Sequence, residues 1–284
     1  MSAVGILYVV ATPIGNLQDF SSRAQSILKT VNLIAAEDTR HTKVLLNHFA
    51  ISTALQSLHE HNEKHLAPQL IKRLQQGESI ALVSDAGTPL ISDPGHYLVQ
   101  LAHEAGIAVS PIPGASSLIC ALSVSGLRAD KFRFEGFLPA KSHARQQVLQ
   151  SLISQPYTLA FYEAPHRIED SIIDMISVFG EQRTAVLVKE LSKVFETVKR
   201  GQLTDILAWL QADSVHKKGE FVILIEGVDD KIQPEIEAET QQLLTILLQE
   251  LPLKKAAKLA SQITGVSKNK LYQFMLEQAS SAEP

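Results

Sequence analysis

Three short segments combine glycine, proline and small hydroxyl residues in a way that suits a polar ligand: Ala11 to Asn16 (ATPIGN), Ser84 to Gly95 (SDAGTPLISDPG) and Pro111 to Ser117 (PIPGASS). Glycine lets backbone amides come close to a ligand, and proline holds a loop rigid. Asp85, beside Gly87, offers a carboxylate to ligand hydroxyls or amines; an Asx turn accounts for it equally well. Asp93 reads differently, because Asp-Pro-Gly before a helical pattern is an N-cap followed by proline at the first helical position. Ser116 and Ser117 cap a helix SSLICALSV, and the free amides of that helix start suit a polar ligand in either case. In AAEDTRHTK, Glu37, Asp38, Arg40 and Lys43 fall on one turn and the start of a helix. Two acids there complement the helix dipole, and paired carboxylates beside a guanidinium could also position a hydroxyl and take its proton. Tyr162, Glu163, His166, Arg167, Lys189 and Glu190 stand at strand ends or just beyond, in FYEAPHRI and KELSKVFE.

Several chemistries lack their residues. The chain has no G-x-G pair and no G-x-x-x-x-G-K-[ST], so hydride transfer on a dinucleotide fingerprint and P-loop hydrolysis lose support. G-x-S-x-G is also missing, and the one cysteine, Cys120, sits in an apolar run as a small core residue would. His59, His61 and His65 cluster in HEHNEKH without the H-E-x-x-H order, and no metal is expected.

The elements that must position these loops follow from periodicity. Apolar runs at Ile6 to Ala11, Asn32 to Ala36 and Ser79 to Ser84 read as strands. Helical patterns cover Ser21 to Lys29, Thr42 to His48, His65 to Gln76 and Gly95 to Glu104. In such a βα alternation, ligands sit outside the carboxyl ends of the strands, where the three loops lie. A second series places strands at Lys131 to Phe137, Tyr157 to Tyr162, Thr184 to Lys189 and Glu220 to Ile225. For the first series a parallel or mixed sheet covered by helices fits best. The boundaries are therefore 1–112 and 113–228 for two α/β domains, 229–239 for a charged linker, and 240–284 for a helical module. In that module Ala257, Leu259, Ile263, Gly265, Val266 and Leu271 resemble a helix-turn-helix layout, with Gly265 at the turn and Ser267 as N-cap.

With 284 residues, 45% hydrophobic and 20% charged, the chain can build two ordinary cores. Its apolar runs are too short to span a membrane, no basic residue precedes the first of them, and the lone cysteine suits a reducing compartment, so the cytoplasm is expected. A net charge of −4 argues against indiscriminate attraction to nucleic acid, and any such contact must be local. Two basic stretches qualify. Arg128 to Arg145 interleaves Phe132, Phe134 and Phe137 with charges, although core packing accounts better for the aromatics. The helical module carries Lys254, Lys255, Lys258, Lys268 and Lys270 with no acid from Leu251 to Leu276.

The ordered series LYVVATPIGNLQD, AAEDTRHTKVLL, VSDAGTPLISDPG, PIPGASS, FEGFLPAK, FYEAPHRI and GEFVILIEG resembles the ribosomal RNA small-subunit methyltransferase I family of the tetrapyrrole methylase superfamily, from about Ile6 to Gly227. The resemblance implies two α/β domains of the tetrapyrrole methylase type plus a small C-terminal helical module. It also implies S-adenosylmethionine as cofactor, methylation of a cytidine ribose 2′-hydroxyl in small-subunit ribosomal RNA or the 30S subunit, and a homodimer. It puts the cofactor against Pro13, Gly15, Asp85, Ala86, Gly87, Thr88 and Pro89, with Ser116, Ser117 and Tyr162 completing the cavity. Asp38, Glu37, Lys189 and Glu190 are then the candidates to manage the hydroxyl proton, and Arg40, Lys43, Lys141, Arg145 and Arg167 join the five module lysines as RNA contacts. The porphyrin enzymes of the superfamily carry a more glycine-rich first loop, so Ala-Thr-Pro-Ile-Gly-Asn here favours RNA. Methylation of a tetrapyrrole or other small nucleophile, and a noncatalytic RNA-binding role, are the rival readings.

Overall fold

The computed structural model describes residues 4–228, 238–268, 271, 272, 274 and 275. The described residues up to Val228 form one compact unit, and those from Ala238 onward form another.

The first unit is built on two sheets. The first is wholly parallel, with strands β1 (Leu7–Val10), β2 (Leu33–Ala36), β3 (Leu55–Ser57), β4 (Ile80–Val83) and β5 (Val109–Ile112) in the order β3-β2-β4-β1-β5. β2 and β4 are buried at every position, which is why they read as unbroken apolar runs. Helices α1 (Ser22–Thr30) and α2 (Thr39–His48) cover one face through Leu28 and Leu46, while α3 (Glu63–Gln75) and α4 (His96–Glu104) cover the other through Leu70, Leu74 and Leu98. β1 therefore leads to a helix on one face and its neighbour β4 to a helix on the other. The crevice between their carboxyl ends is the switch point where ligands bind in open α/β sheets.

The second sheet departs from the expected βα series, because most of it is antiparallel. Between the sheets runs α5 (Ser117–Ser125). The strands are β6 (Phe132–Phe137), β7 (Thr158–Glu163), β8 (Thr184–Lys189), β9 (Thr197–Gln202) and β10 (Phe221–Ile225), ordered β6-β7-β10-β8-β9, with only β6 and β7 parallel. β9, TVKRGQ, gave no apolar run because it is an edge strand that alternates between half-buried and exposed positions. Helices α6 (Ser142–Gln150), α7 (Ile168–Phe179) and α8 (Leu203–Ala212) pack on one face around Phe161, Leu187 and Ile223. The other face meets α5 and Ile14 through Val186, Val188, Val222 and Leu224, which brings the loop after β1 onto the second sheet. Of the β6 phenylalanines expected in the core, Phe134 packs against it, whereas Phe132 at the strand's start is 40% exposed and Phe137, beyond the register shift at Gly136, is 56% exposed.

In the second unit, α9 (Ala238–Glu250) and α10 (Leu253–Thr264) enclose Leu244, Ala256, Ala257 and Ala260 together with Leu271 and Met275. Gly265 takes the left-handed conformation (φ 73°) that ends α10, and helix resumes at Lys268, as the turn at Gly265 requires. Leu259 and Ile263 are exposed, and the small residues Ala256, Ala257 and Ala260 form the buried stripe of α10. Most of the expected linker 229–239, the end of the module beyond Met275, and Lys270 lie outside the described residues.

Candidate functional site

A cavity of about 440 Å³ opens at the switch point. Its walls are the Asp85 to Thr88 and Ile91 to Asp93 stretches of the loop after β4, Ser116 and Ser117 at the start of α5, and Tyr162 at the end of β7. Glu37, Ile14, Val188, Leu191 and Val222 also face it. The loops after β1 and β4 are laced together by Thr12 N to Gly87 O at 2.9 Å and Gly87 N to Thr12 O at 3.1 Å. Gly87 has φ 79°, and a Cβ there would stand 3.2 Å from Ile14 Cγ2, so glycine is needed for both the turn and the close approach. Thr88 donates to Ala115 O at 3.0 Å, tying the loop to the segment before α5. Ser117 Oγ donates to Tyr162 Oη at 2.8 Å across the cavity wall.

The acids are arranged unevenly. Asp85 accepts the Asp38 amide at 3.0 Å through Oδ1, while its own amide lies 3.4 Å from Glu37 Oε2. Burial, offset in part by that amide and reinforced by Asp85, Asp93 and Asp38, holds the Glu37 carboxyl above the usual 4.5. Burial and the charge of Asp85 likewise raise Asp93 against the pull of a hydrogen bond from Ser84. Asp93 is not the N-cap expected of it. Leu90 and Ser92 both take positive φ (77° and 70°), so the loop folds back on itself and the cap falls on Gly95. The Asp93 carboxyl is thereby left in the cavity wall.

Of the proton-handling candidates, only Glu37 faces this cavity. Asp38 is the N-cap of α2, accepting Arg40 N at 2.8 Å and bound to the Arg40 guanidinium at 2.7 Å. Hydrogen bonds from the Arg40 side chain and amide hold its carboxyl well below the usual range, which makes it a poor base. Lys189 follows Val188 in β8; Val188 lines the cavity, so by strand alternation Lys189 shares the opposite face with Ala185 and Leu187. Glu190 is bound to Lys193 at 3.0 Å and to the Glu220 amide at 2.9 Å, outside the cavity wall.

Pro13 and Gly15 line a second cavity of about 560 Å³, between the loop after β1 and helix α2. The two cavities meet at Ile14, Asp85, Ala86 and Glu220. The Lys193 side chain lies directly on Gly15, where a Cβ would come within 2.4 Å of its Cγ. Pro89 belongs to the loop but to neither lining. Sequence reasoning overlooked Ile14 and Glu220; the position of Ile14 between Pro13 and Gly15 was a usable signal, whereas nothing local marks Glu220.

The basic residues separate into two groups. Arg40, Lys43, Lys141, Lys254, Lys255, Lys258 and Lys268 are exposed. Arg145 and Arg167 are not free to bind RNA. Arg145 is 3% exposed and bound to Asp174 at 2.6 Å, and Arg167 donates to Leu138 O at 2.5 Å and Glu163 Oε2 at 3.1 Å. Arg145 sits on α6 and Arg167 at the N-cap of α7, both largely removed from water, where a guanidinium needs fixed partners. His59, His61, Glu63 and His96 surround a further cavity, but no group of three or more acids, histidines or cysteines among the described residues is placed to hold a metal. No described helix is long and apolar enough to cross a membrane.

Residues 6–207 match the family model described as Tetrapyrrole (Corrin/Porphyrin) Methylases, and residues 234–279 match that of the RsmI C-terminal HTH domain. The chain is 52% identical over 275 residues to the ribosomal RNA small subunit methyltransferase I of Escherichia coli O157:H7, covering 96% of each chain. It is 54% identical to the protein of the same name from Pseudomonas aeruginosa, covering 98% of each. Among solved structures, diphthine synthase superposes with a TM-score of 0.61 at 16% identity, over 78% of this chain and 89% of that one. The uroporphyrin-III-C-methyltransferase of Thermus thermophilus gives 0.53 at 18% identity, over 78% and 94%. The latter two are similar in fold alone.

Proposed function

Because the chain belongs to the ribosomal RNA small subunit methyltransferase I branch of the tetrapyrrole methylase family, we propose that it methylates the ribose 2′-oxygen of a cytidine in small-subunit ribosomal RNA, using S-adenosylmethionine. The observation that carries this reading is the cavity at the β1/β4 switch point, which joins an acidic rim to an apolar wall in a chain that matches these relatives from end to end.

The lining fits such a cofactor. Asp85 and Asp93 present carboxyl groups to a cation. Ile14, Val188, Leu191 and Val222 offer an apolar slot for a flat base, and the Ser117–Tyr162 pair supplies hydroxyls at its edge. A volume of about 440 Å³ lies within the range of small-molecule sites, roughly 300–1,000 Å³. When bound, the cofactor supplies a methyl group already activated by its sulfonium. The protein's tasks are then alignment, exclusion of water and proton removal. Glu37 is placed for the last of these. Held above the usual carboxylate range and anchored at the Asp85 amide where the two cavities meet, it would accept the proton of the ribose hydroxyl. Exposed lysines on the second unit, and Arg40, Lys43 and Lys141 on the first, give RNA local positive surface despite the net charge of −4. A homodimer and a cytoplasmic site of action are part of the same reading.

Calorimetry tests the cofactor half. The wild type should bind S-adenosylmethionine, and Asp85→Ala, which removes both the carboxylate and the anchor for the Asp38 amide, should weaken binding at least tenfold. Equal affinity in the two would remove the Asp85 cavity from the account.

A further inference from the structure

We infer that Glu163 is a positioning residue for the cofactor: from behind the cavity wall, its buried carboxylate fixes the turn after β7 and, through Arg167, the end of β6. The inference rests on the reading that this cavity takes S-adenosylmethionine, and it adds a residue that acts on the cofactor without touching it.

The carrying observation is a charge placed where the core would accept an apolar side chain. Along β7, Leu159 and Phe161 pack into the layer beneath α7, and by strand alternation Glu163 continues that face. Its side chain is wholly shielded from water. Tyr162, one residue earlier, faces the cavity on the other side of the sheet. Replacing a buried ion pair by apolar residues of similar volume is often neutral or stabilising, so stability alone does not account for Glu163.

What its bonds hold does account for it. Oε1 accepts the Ala164 amide at 2.7 Å, and Oε2 accepts Ser171 Oγ on α7 and Arg167 Nη2, the latter at 3.1 Å. The Arg167 amide donates to Ala164 O at 3.0 Å, which closes the turn from Glu163 to Arg167. Ala164 and Pro165 in that turn line the cavity. The same guanidinium reaches Leu138 O at 2.5 Å, next to Phe137, whose ring lies 5.6 Å from that of Tyr162 and also lines the cavity. The ladder between β6 and β7 ends at Phe137 and Tyr162. Past that point the Glu163–Arg167–Leu138 connection ties the two wall segments together where strand pairing no longer does.

The test measures calorimetric binding of S-adenosylmethionine and thermal unfolding in four proteins: wild type, Glu163→Gln, Glu163→Gln combined with Arg167→Met, and Leu210→Ala. Leu210 is fully buried in the same core and lines neither of the two cavities, so its variant should lower Tm and keep the wild-type Kd. Glu163→Gln leaves Arg167 without its counter-charge. It should lower Tm and raise the cofactor Kd by about 3- to 30-fold, the range for substitutions that act on a site without contacting its ligand. The double variant removes both charges and should regain Tm while keeping the weakened Kd. A wild-type Kd in Glu163→Gln, or in the double variant where the single one does not fold, overturns the positioning role and leaves the cofactor reading standing. So does an equal rise in Leu210→Ala. A wild type that binds no S-adenosylmethionine overturns the positioning role and the cofactor reading together.

Discussion

Replacing Arg145 separates two roles that the sequence alone left together. In the structure its Nε lies 2.6 Å from Asp174 Oδ2, its side chain is 3% exposed, and the Pro139 and Ala140 carbonyls lie 3.5 and 3.4 Å from Nη1. Asp174 also receives Ser142 Oγ at 2.9 Å and Gln146 Nε2 at 2.6 Å. Arg145→Met leaves Asp174 with these two neutral donors and no counter-charge. Breaking a buried pair from one side costs about 3–5 kcal/mol. At about 2–4 °C per kcal/mol for a unit of this size, Tm should fall by about 6–20 °C. Removing both charges with Arg145→Met and Asp174→Leu should recover much of the loss, because an apolar pair of similar volume often replaces a buried ion pair at little cost. The single tryptophan, Trp209, packs against the same core on α8, so its fluorescence in urea follows this half of the molecule. The pH dependence has a definite sign. Burial pushes the Asp174 carboxyl up, but Gln146, Ser142 and Arg145 together hold it below its ordinary 3.8. A carboxyl lowered by folding stabilises above its unfolded value and loses that contribution as pH falls through the folded one. The gap between wild type and variant should therefore narrow as pH drops below 3.8. An Arg145→Met protein with a wild-type urea midpoint but weakened RNA binding would refute the structural role.

Glu37→Gln should lower methyl transfer to 30S subunits by about 10²–10⁴-fold while changing cofactor affinity little. The acid limb of wild-type kcat should lie above pH 4.5 and vanish in the variant, since a base must be ionised and Glu37 titrates higher than an ordinary glutamate. The stability linked to Glu37 runs the other way, falling as pH rises through its raised value, so Glu37→Gln should flatten that decline in urea titrations. Asp38→Asn, which keeps an N-cap oxygen, should retain turnover, whereas Asp38→Ala, which removes the cap of α2, should lower the urea midpoint. Gly87→Ala should cost about 1–2 kcal/mol for the left-handed backbone alone and should weaken calorimetric binding of S-adenosylmethionine as Ile14 is pushed into the cavity.

What the sequence disclosed, and what it concealed, follows from where each signal resides. β2, β4 and β8 were legible because both faces of each strand are buried, and the loops after β1 and β4 because their glycines and prolines mark sharp turns. β3 and β5 were passed over: Leu55–Ser57 is three residues of middling burial, and Val109–Ile112 holds a serine and a proline. Facing was harder than location. Lys189 and Val188 are neighbours in sequence and lie on opposite sides of a sheet, and only the sheet's packing says which side bears the cavity. Arg145 looked like a free cation until Asp174, far along the chain, was found beside it.

The most direct measurement is the identity of the methylated product. The purified chain is incubated with 30S subunits and labelled S-adenosylmethionine, and the ribosomal RNA is digested to nucleosides for mass spectrometry. The account predicts label in a single 2′-O-methylcytidine, lost in Glu37→Gln. Label on a base or in no nucleoside, or transfer to a tetrapyrrole under the same conditions, would contradict it.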